Sequence, residues 1–153
     1  MTKKRPISKP PFCRQETPDS CAVACLRSVL HNYGHVVDEA SLRQRCGTTE
    51  SGTLSDDLVK CARTLGFAAE KEYSNLELLR QYLSVNLFPI LYVNLLFIDG
   101  IDSVHAVVTT EFGDQFIDVI DPLAGERSIF IAAFEKSWQM LNNLAILVQP
   151  QKQ

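Results

Sequence analysis

Cys21, His105, Asp121 and Gln15 are the residues whose types and order suggest covalent chemistry. Cys21 opens the run Cys21-Ala-Val-Ala-Cys-Leu-Arg-Ser-Val-Leu-His-Asn-Tyr-Gly34. Within it Ala22, Cys25, Leu26, Val29, Leu30 and Tyr33 recur at the spacing of one buried helical face. Pro18 precedes the helix start, Asp19 or Ser20 can cap it, and Gly34 can end it. A thiol in a first helical turn meets unpaired backbone N–H groups and the positive end of the helix dipole, which favour the nucleophilic thiolate form. Gln15 lies just upstream, and a Gln amide donating beside the sulfur would form part of an oxyanion hole for acyl transfer. Taken alone, a Cys on an amphipathic helix is more often a small buried hydrophobe, and Cys25 one turn on reads that way. The chemistry therefore depends on finding a base and a group to orient it.

His31, His35 and His105 are the three histidines. His31 and His35 lie at or past the far end of the first helix, roughly 15 Å from Cys21 at the helical rise, too far to act on it. His105 stands at the opening of a strand, just after a polar loop, where sites tend to be built. A hairpin with the loop Phe112-Gly113-Asp114 places His105 directly opposite Asp121, and opposed residues share a face. A two-residue loop at Gly113-Asp114 puts His105 opposite Pro122 instead. The first register supplies a carboxylate to hold the imidazole in one tautomer. Asp118, on the other face of that strand, is the weaker candidate. Cys21, His105 and Asp121 then follow the nucleophile, base and orienter logic of a Cys-His-Asp site.

The elements that must position these residues read as helices first and strands afterwards. Short helices are expected at Asp38 to Cys46, at Leu54 to Leu65 behind a Thr53 cap, and to about Leu83 behind Ser74 or Asn75. Strands are expected at Phe67 to Tyr73, Phe88 to Phe97, Val104 to Thr110, Gln115 to Asp121, Arg127 to Ile131 at an edge, and Leu144 to Val148. A helical turn is expected around Phe134 to Trp138. The order predicts an α+β domain over residues 12–150, with N-terminal helices packed on an antiparallel sheet.

A length of 153 residues with 46% hydrophobic and 22% charged composition fits one soluble domain. The formal net charge of −3 argues against a nucleic-acid partner. Lys3, Lys4, Arg5 and Lys9, interleaved with Pro6, Pro10 and Pro11, read as a flexible N-terminal tail over residues 1–11. No secretory signal is visible, and the most apolar run, Leu87 to Ile98, is too short to span a bilayer. A cytoplasmic protein without stable membrane insertion is expected. The five cysteines, Cys13, Cys21, Cys25, Cys46 and Cys61, are odd in number and not spaced as a disulfide scaffold, so reduced thiols are expected. A zinc site from Cys21, Cys25 and His31 lacks the paired ligands of structural zinc, and neither metal nor cofactor is expected.

The chain resembles the bacteriocin-processing cysteine peptidases, the papain-like domain at the N-terminus of peptide-exporting ABC transporters. The resemblance rests on Gln15, Asp19-Ser20-Cys21-Ala22, Leu26 to Leu30 and Tyr33-Gly34. It continues through Gly52 to Gly66, the strand containing Pro89, the His-x-Val-Val at His105, and the Asp-Pro-x-x-Gly at Asp121 to Gly125. Phe134, Trp138 and the last apolar strand complete it, so that residues 12–150 are covered. The residue after the nucleophile is often Gly in that family and is Ala22 here, which keeps the backbone N–H.

The resemblance implies a papain-like fold with Cys21 as nucleophile, His105 as base, Asp121 as orienter and Gln15 in the oxyanion hole. It implies a peptide substrate cut after a double-glycine leader. The sequence reads as a stand-alone form, with a separate peptide exporter as its candidate partner. The alternatives are a papain-like amidase or acyltransferase, in which the acyl donor or acceptor differs, and a non-catalytic peptide-binding module of an export system.

Overall fold

The computed structural model describes residues 8–151. Its sheet has six antiparallel strands in the order β1-β6-β2-β3-β4-β5. These are β1 (Phe67–Tyr73), β2 (Ile90–Asn94), β3 (Val104–Phe112), β4 (Phe116–Asp121), β5 (Gly125–Phe130) and β6 (Leu144–Pro150). The helices are α1 (Cys21–Asn32), α2 (Glu39–Cys46), α3 (Ser55–Thr64), α4 (Leu76–Ser84), α5 (Leu96–Asp99) and α6 (Ile131–Gln139). This is the expected α+β arrangement, with α1 packed against β2 and β3.

Helix α1 is buried on more than one face. Val23, Ala24 and Ser28 are enclosed along with the expected Ala22, Cys25, Leu26, Val29 and Leu30. The sheet covers one side while α2 and α3 cover another, and a helix enclosed this way is apolar nearly all round. Its small residues let the neighbouring backbones approach. Asp38 caps α2 by accepting the Ser41 N–H at 3.0 Å, and Gly47, at φ 65°, closes its far end.

Several local expectations are corrected. Thr53 does not cap α3; the N-cap is Leu54. The Thr53 hydroxyl instead lies 2.7 Å from that of Thr48, and its carbonyl accepts the Tyr92 hydroxyl at 2.9 Å. Cys46 and Cys61 are not free thiols; they form a disulfide joining α2 to α3. The strand expected to run to Phe97 stops at Asn94. The Asn94 side chain accepts the Leu96 N–H at 3.0 Å and donates to Asp102 at 3.0 Å. Such a local side-chain bond offers the backbone an alternative to the ladder, and the chain turns into α5, which Gly100 ends at φ 74°.

Part of the tail expected over residues 1–11 is docked. Residues 1–7 lie outside the described residues. Pro10 is buried, Lys9 pairs with Glu126, and the Ser8 carbonyl accepts a hydrogen bond from Asn32 at 3.1 Å. No helix among the described residues is long and apolar enough to cross a membrane.

Candidate active site

Cys21 is the first residue of α1, half-buried, with Ser20 at the cap position. The Ser20 hydroxyl does not cap the helix. It turns back to donate to the Thr17 carbonyl and accept the Thr17 N–H, each at 3.0 Å. The N–H groups of the first helical turn therefore keep their outward aim, since none has an acceptor within the helix. Cys25, one turn on, is fully enclosed, and burial pushes its thiol well above the ordinary range. It is an inert core thiol, as its position in the helix suggests.

His105 is the second residue of β3, paired with Val93 on β2, and only 7% exposed. Asp121 ends β4 and is 3% exposed. His105 Nε2 lies 2.7 Å from Asp121 Oδ1. The expectation that the two stand directly opposite is corrected. The hairpin pairs Phe112 with Ile117, and a bulge at Thr110 adds one residue to β3. From the Val108–Ile120 pair onward, Asp121 falls opposite Val107, two residues along from His105. Alternation keeps all three on one face, and the diagonal distance is within reach of an imidazole and a carboxylate. Asp118 accepts the Ser128 hydroxyl at 2.6 Å, away from His105.

Asp121 is heavily solvated by the protein. Its Oδ1 also accepts the N–H groups of Leu123 at 2.8 Å and Ala124 at 3.2 Å, and its Oδ2 accepts Arg127 Nη1 at 3.1 Å. Burial opposes its charge, yet the His105 hydrogen bond, the imidazolium charge and the two backbone donors hold it well below the usual carboxylate range. Burial likewise opposes charge on His105. The hydrogen bond to Asp121, the neighbouring Cys21 thiol and the two partners' charges outweigh it and raise the imidazole to about 9. Since Nε2 is taken by Asp121, Nδ1 is the nitrogen left for Cys21.

Gln15 is buried beside this pair. Its N–H donates to the Pro122 carbonyl at 2.8 Å, which ties it to the residue after Asp121. Its side-chain Nε2 donates to the Thr17 carbonyl at 2.9 Å and, more weakly, to that of Pro18 at 3.4 Å. Its Oε1 is buried without a partner. The next N–H, of Glu16, is held by both oxygens of Glu39, at 3.0 and 3.2 Å. Glu39 is fully buried on α2 and also accepts Arg43 Nε at 3.1 Å.

Three residues around the site were not legible in the sequence. Glu39 reads as a first-turn helix carboxylate. Arg127 reads as an edge-strand cation. Asp99 reads as the start of a polar loop after a strand expected to run to Phe97. Among the described residues no group of three His, Cys, Asp or Glu side chains could hold a metal ion.

The chain matches the Peptidase C39 family over residues 9–153. It is 30% identical over 123 residues to an uncharacterised protein of Methanothermobacter marburgensis, covering 80% of this chain and 79% of that one. It is 26% identical over 140 residues to the Pediocin PA-1 transport/processing ATP-binding protein PedD of Pediococcus acidilactici, covering 91% of this chain but 18% of that longer protein. Among solved structures it resembles the peptidase domain of Streptococcus ComA, a bi-functional ABC transporter involved in a quorum sensing pathway. That likeness has a TM-score of 0.79 and 25% identity, over 92% of this chain and 98% of that one. A putative C39-like peptidase from Bacillus anthracis shares the fold at TM-score 0.81 and 17% identity, over 99% and 100%. A double glycine motif protease from an AMS/PCAT transporter, in complex with its leader peptide, shares it at TM-score 0.79 and 23% identity, over 94% of each chain. The match along almost the whole sequence and the shared fold agree: the chain belongs to the Peptidase C39 family.

Proposed function

We propose that this cysteine peptidase cleaves a peptide after a double-glycine leader, with Cys21 as nucleophile, His105 as acid and base, and Asp121 as orienter. The observation that carries the reading is the buried His105–Asp121 pair, 2.7 Å apart, with the Cys21 thiol near enough to help raise the imidazole. The Cys21 thiolate attacks the carbonyl of the second glycine, forming a C–S bond. The oxyanion is met by the Cys21 N–H, free at the helix start, and by Gln15 Nε2. The long contact from Nε2 to the Pro18 carbonyl is the one an oxyanion replaces. His105 then gives its Nδ1 proton to the leaving amine as the C–N bond breaks. Water, deprotonated by the same nitrogen, hydrolyses the thioester and restores the thiol.

The leader class is supported by family membership and by the printed descriptions of the double glycine motif protease and the processing protein PedD. A peptide exporter is the partner that such a substrate calls for. The test is a synthetic leader peptide ending in Gly-Gly followed by a short cargo. Wild-type protein cuts after the second glycine, Cys21→Ser does not, and limiting iodoacetamide labels Cys21 before Cys13. Full cleavage by Cys21→Ser, or labelling of Cys13 first, overturns the assignment. An alkylatable Cys21 that cuts no leader would direct the reading to the amidase or acyltransferase chemistry.

A further inference from the structure

Asp121 has two oxygens and they are served unequally. Oδ1 takes His105 and two backbone donors, whereas the bond shown to Oδ2 is that from Arg127 Nη1 at 3.1 Å. The residue directly opposite Asp121 on β5 is Gly125, which has no side chain to offer. Arg127, two residues along on the same face, reaches back diagonally instead. Its guanidinium is itself held in a fork by Asp99, at 2.6 Å to Oδ1 and 3.0 Å to Oδ2. Asp99 is present there because the chain leaves β2 at Asn94 and turns into α5. One guanidinium thus bridges α5 to the end of β4, with planar contacts that a lysine cannot reproduce.

We propose that Arg127, anchored by Asp99, is a positioning residue that fixes the Asp121 carboxylate so that Oδ1 stays on His105. The inference rests on the reading of Asp121 as the orienter. Without Arg127 the carboxylate is free to rotate about its last side-chain bond, and His105 shares its attention with water. Asp99 acts one step further out, by keeping the guanidinium fork in one orientation.

Arg127→Gln, Arg127→Lys, Asp99→Asn and the double variant Asp99→Asn/Arg127→Gln are compared with the wild type in two measurements. The first is the NMR titration of the His105 imidazole, resolvable because the chain has three histidines. The second is turnover of a leader peptide ending in Gly-Gly. In Arg127→Gln the titration moves down from about 9. Its kcat falls about tenfold to a hundredfold with little change in KM. Arg127→Lys recovers part of the loss. Asp99→Asn lowers kcat less, and adds no further loss of kcat on top of Arg127→Gln. A His105 titration that stays put or rises in Arg127→Gln overturns the proposal. Loss of a nearby cation alone, with Asp121 still in place, stabilises the imidazolium and pushes the titration up.

Should Arg127→Gln fail to fold, Asp99→Asn carries the test, because that carboxylate is partly exposed. Loss of the Asp99 charge alone lowers the His105 titration, so turnover is the readout there: a fall in kcat with KM nearly unchanged supports the proposal, and an unchanged kcat overturns it. Asp121→Asn separates the two failures. If it is fully active, the reading of the site is wrong. If it is impaired while Arg127→Gln is not, only the role of Arg127 is wrong.

Discussion

Replacing Asp121 by Asn removes one charge and leaves the shape of the site nearly intact. In the wild type the imidazole is raised from 6.5 to about 9 against a burial penalty. That difference corresponds to about 3 kcal/mol favouring imidazolium in the folded protein. Most of it traces to Asp121, through the hydrogen bond and the carboxylate charge, with Cys21 supplying the rest. In Asp121→Asn the burial penalty stays and the carboxylate is gone, so the His105 titration should fall by roughly two units. Activity should drop on the order of 10³-fold, because the Asn amide can hold the wrong tautomer. The alkaline limb of kcat/KM should move down with the titration.

The same shift bears on folding. Since the folded-state pKa of His105 lies above the unfolded one, its contribution is full below 6.5 and is lost as pH rises through about 9. Urea midpoints measured across that window should fall with pH in the wild type and much less in Asp121→Asn. A variant whose His105 still titrates near 9, or whose stability keeps the wild-type pH dependence, would show that Asp121 does not hold the imidazolium.

Gln15→Ala should lower kcat by about a hundredfold or more while leaving KM and Cys21 alkylation nearly unchanged, since an oxyanion donor acts on the transition state; steady-state kinetics beside iodoacetamide labelling checks this. Glu39→Ala should cost roughly 2 kcal/mol in urea unfolding because it strips the Glu16 N–H of its acceptors, and it should slow turnover through the loosened Gln15 segment. A leader ending in Gly-Gly should be cut far faster than versions with Ala or Val at either glycine, by exclusion of any Cβ from a narrow channel. Equal rates across that series would rule the channel out.

Much of the site could be read from sequence because its residues sit where local rules are strong. Cys21 follows Pro18 closely and opens an apolar helical face. His105 and Asp121 bracket a hairpin, and the expected register already puts them on one face, the face the bulged register keeps. The exact register could not be read, because the bulge at Thr110 leaves no mark beyond an ordinary Thr-Thr pair. The end of β2 was missed for a similar reason. Leu95 to Ile98 is as apolar as the strand before it, and only the Asn94 side chain, bonded to Leu96 and Asp102, diverts the chain. Asp99, Arg127 and Glu39 are invisible one at a time, since their meaning lies in partners on other elements, 23 residues apart for Glu39–Glu16, 28 for Asp99–Arg127 and six across the β4–β5 turn for Arg127–Asp121.

The Cys46–Cys61 bridge has a bearing on where the protein keeps its full strength. It closes a loop of 15 residues between α2 and α3, and a closure of that length stabilises a fold by about 3 kcal/mol, chiefly by restricting the unfolded chain. That is a sizeable share of the roughly 5 to 15 kcal/mol that holds a domain together. Both sulfurs are buried, so a reductant reaches them only when the two helices part. The helix on one side of the bridge carries Glu39, which grips the segment bearing Gln15. In thiol-rich surroundings the molecule would therefore be softened first on the flank that steadies Gln15, the proposed oxyanion donor, while the His105–Asp121 pair across the sheet keeps its own contacts.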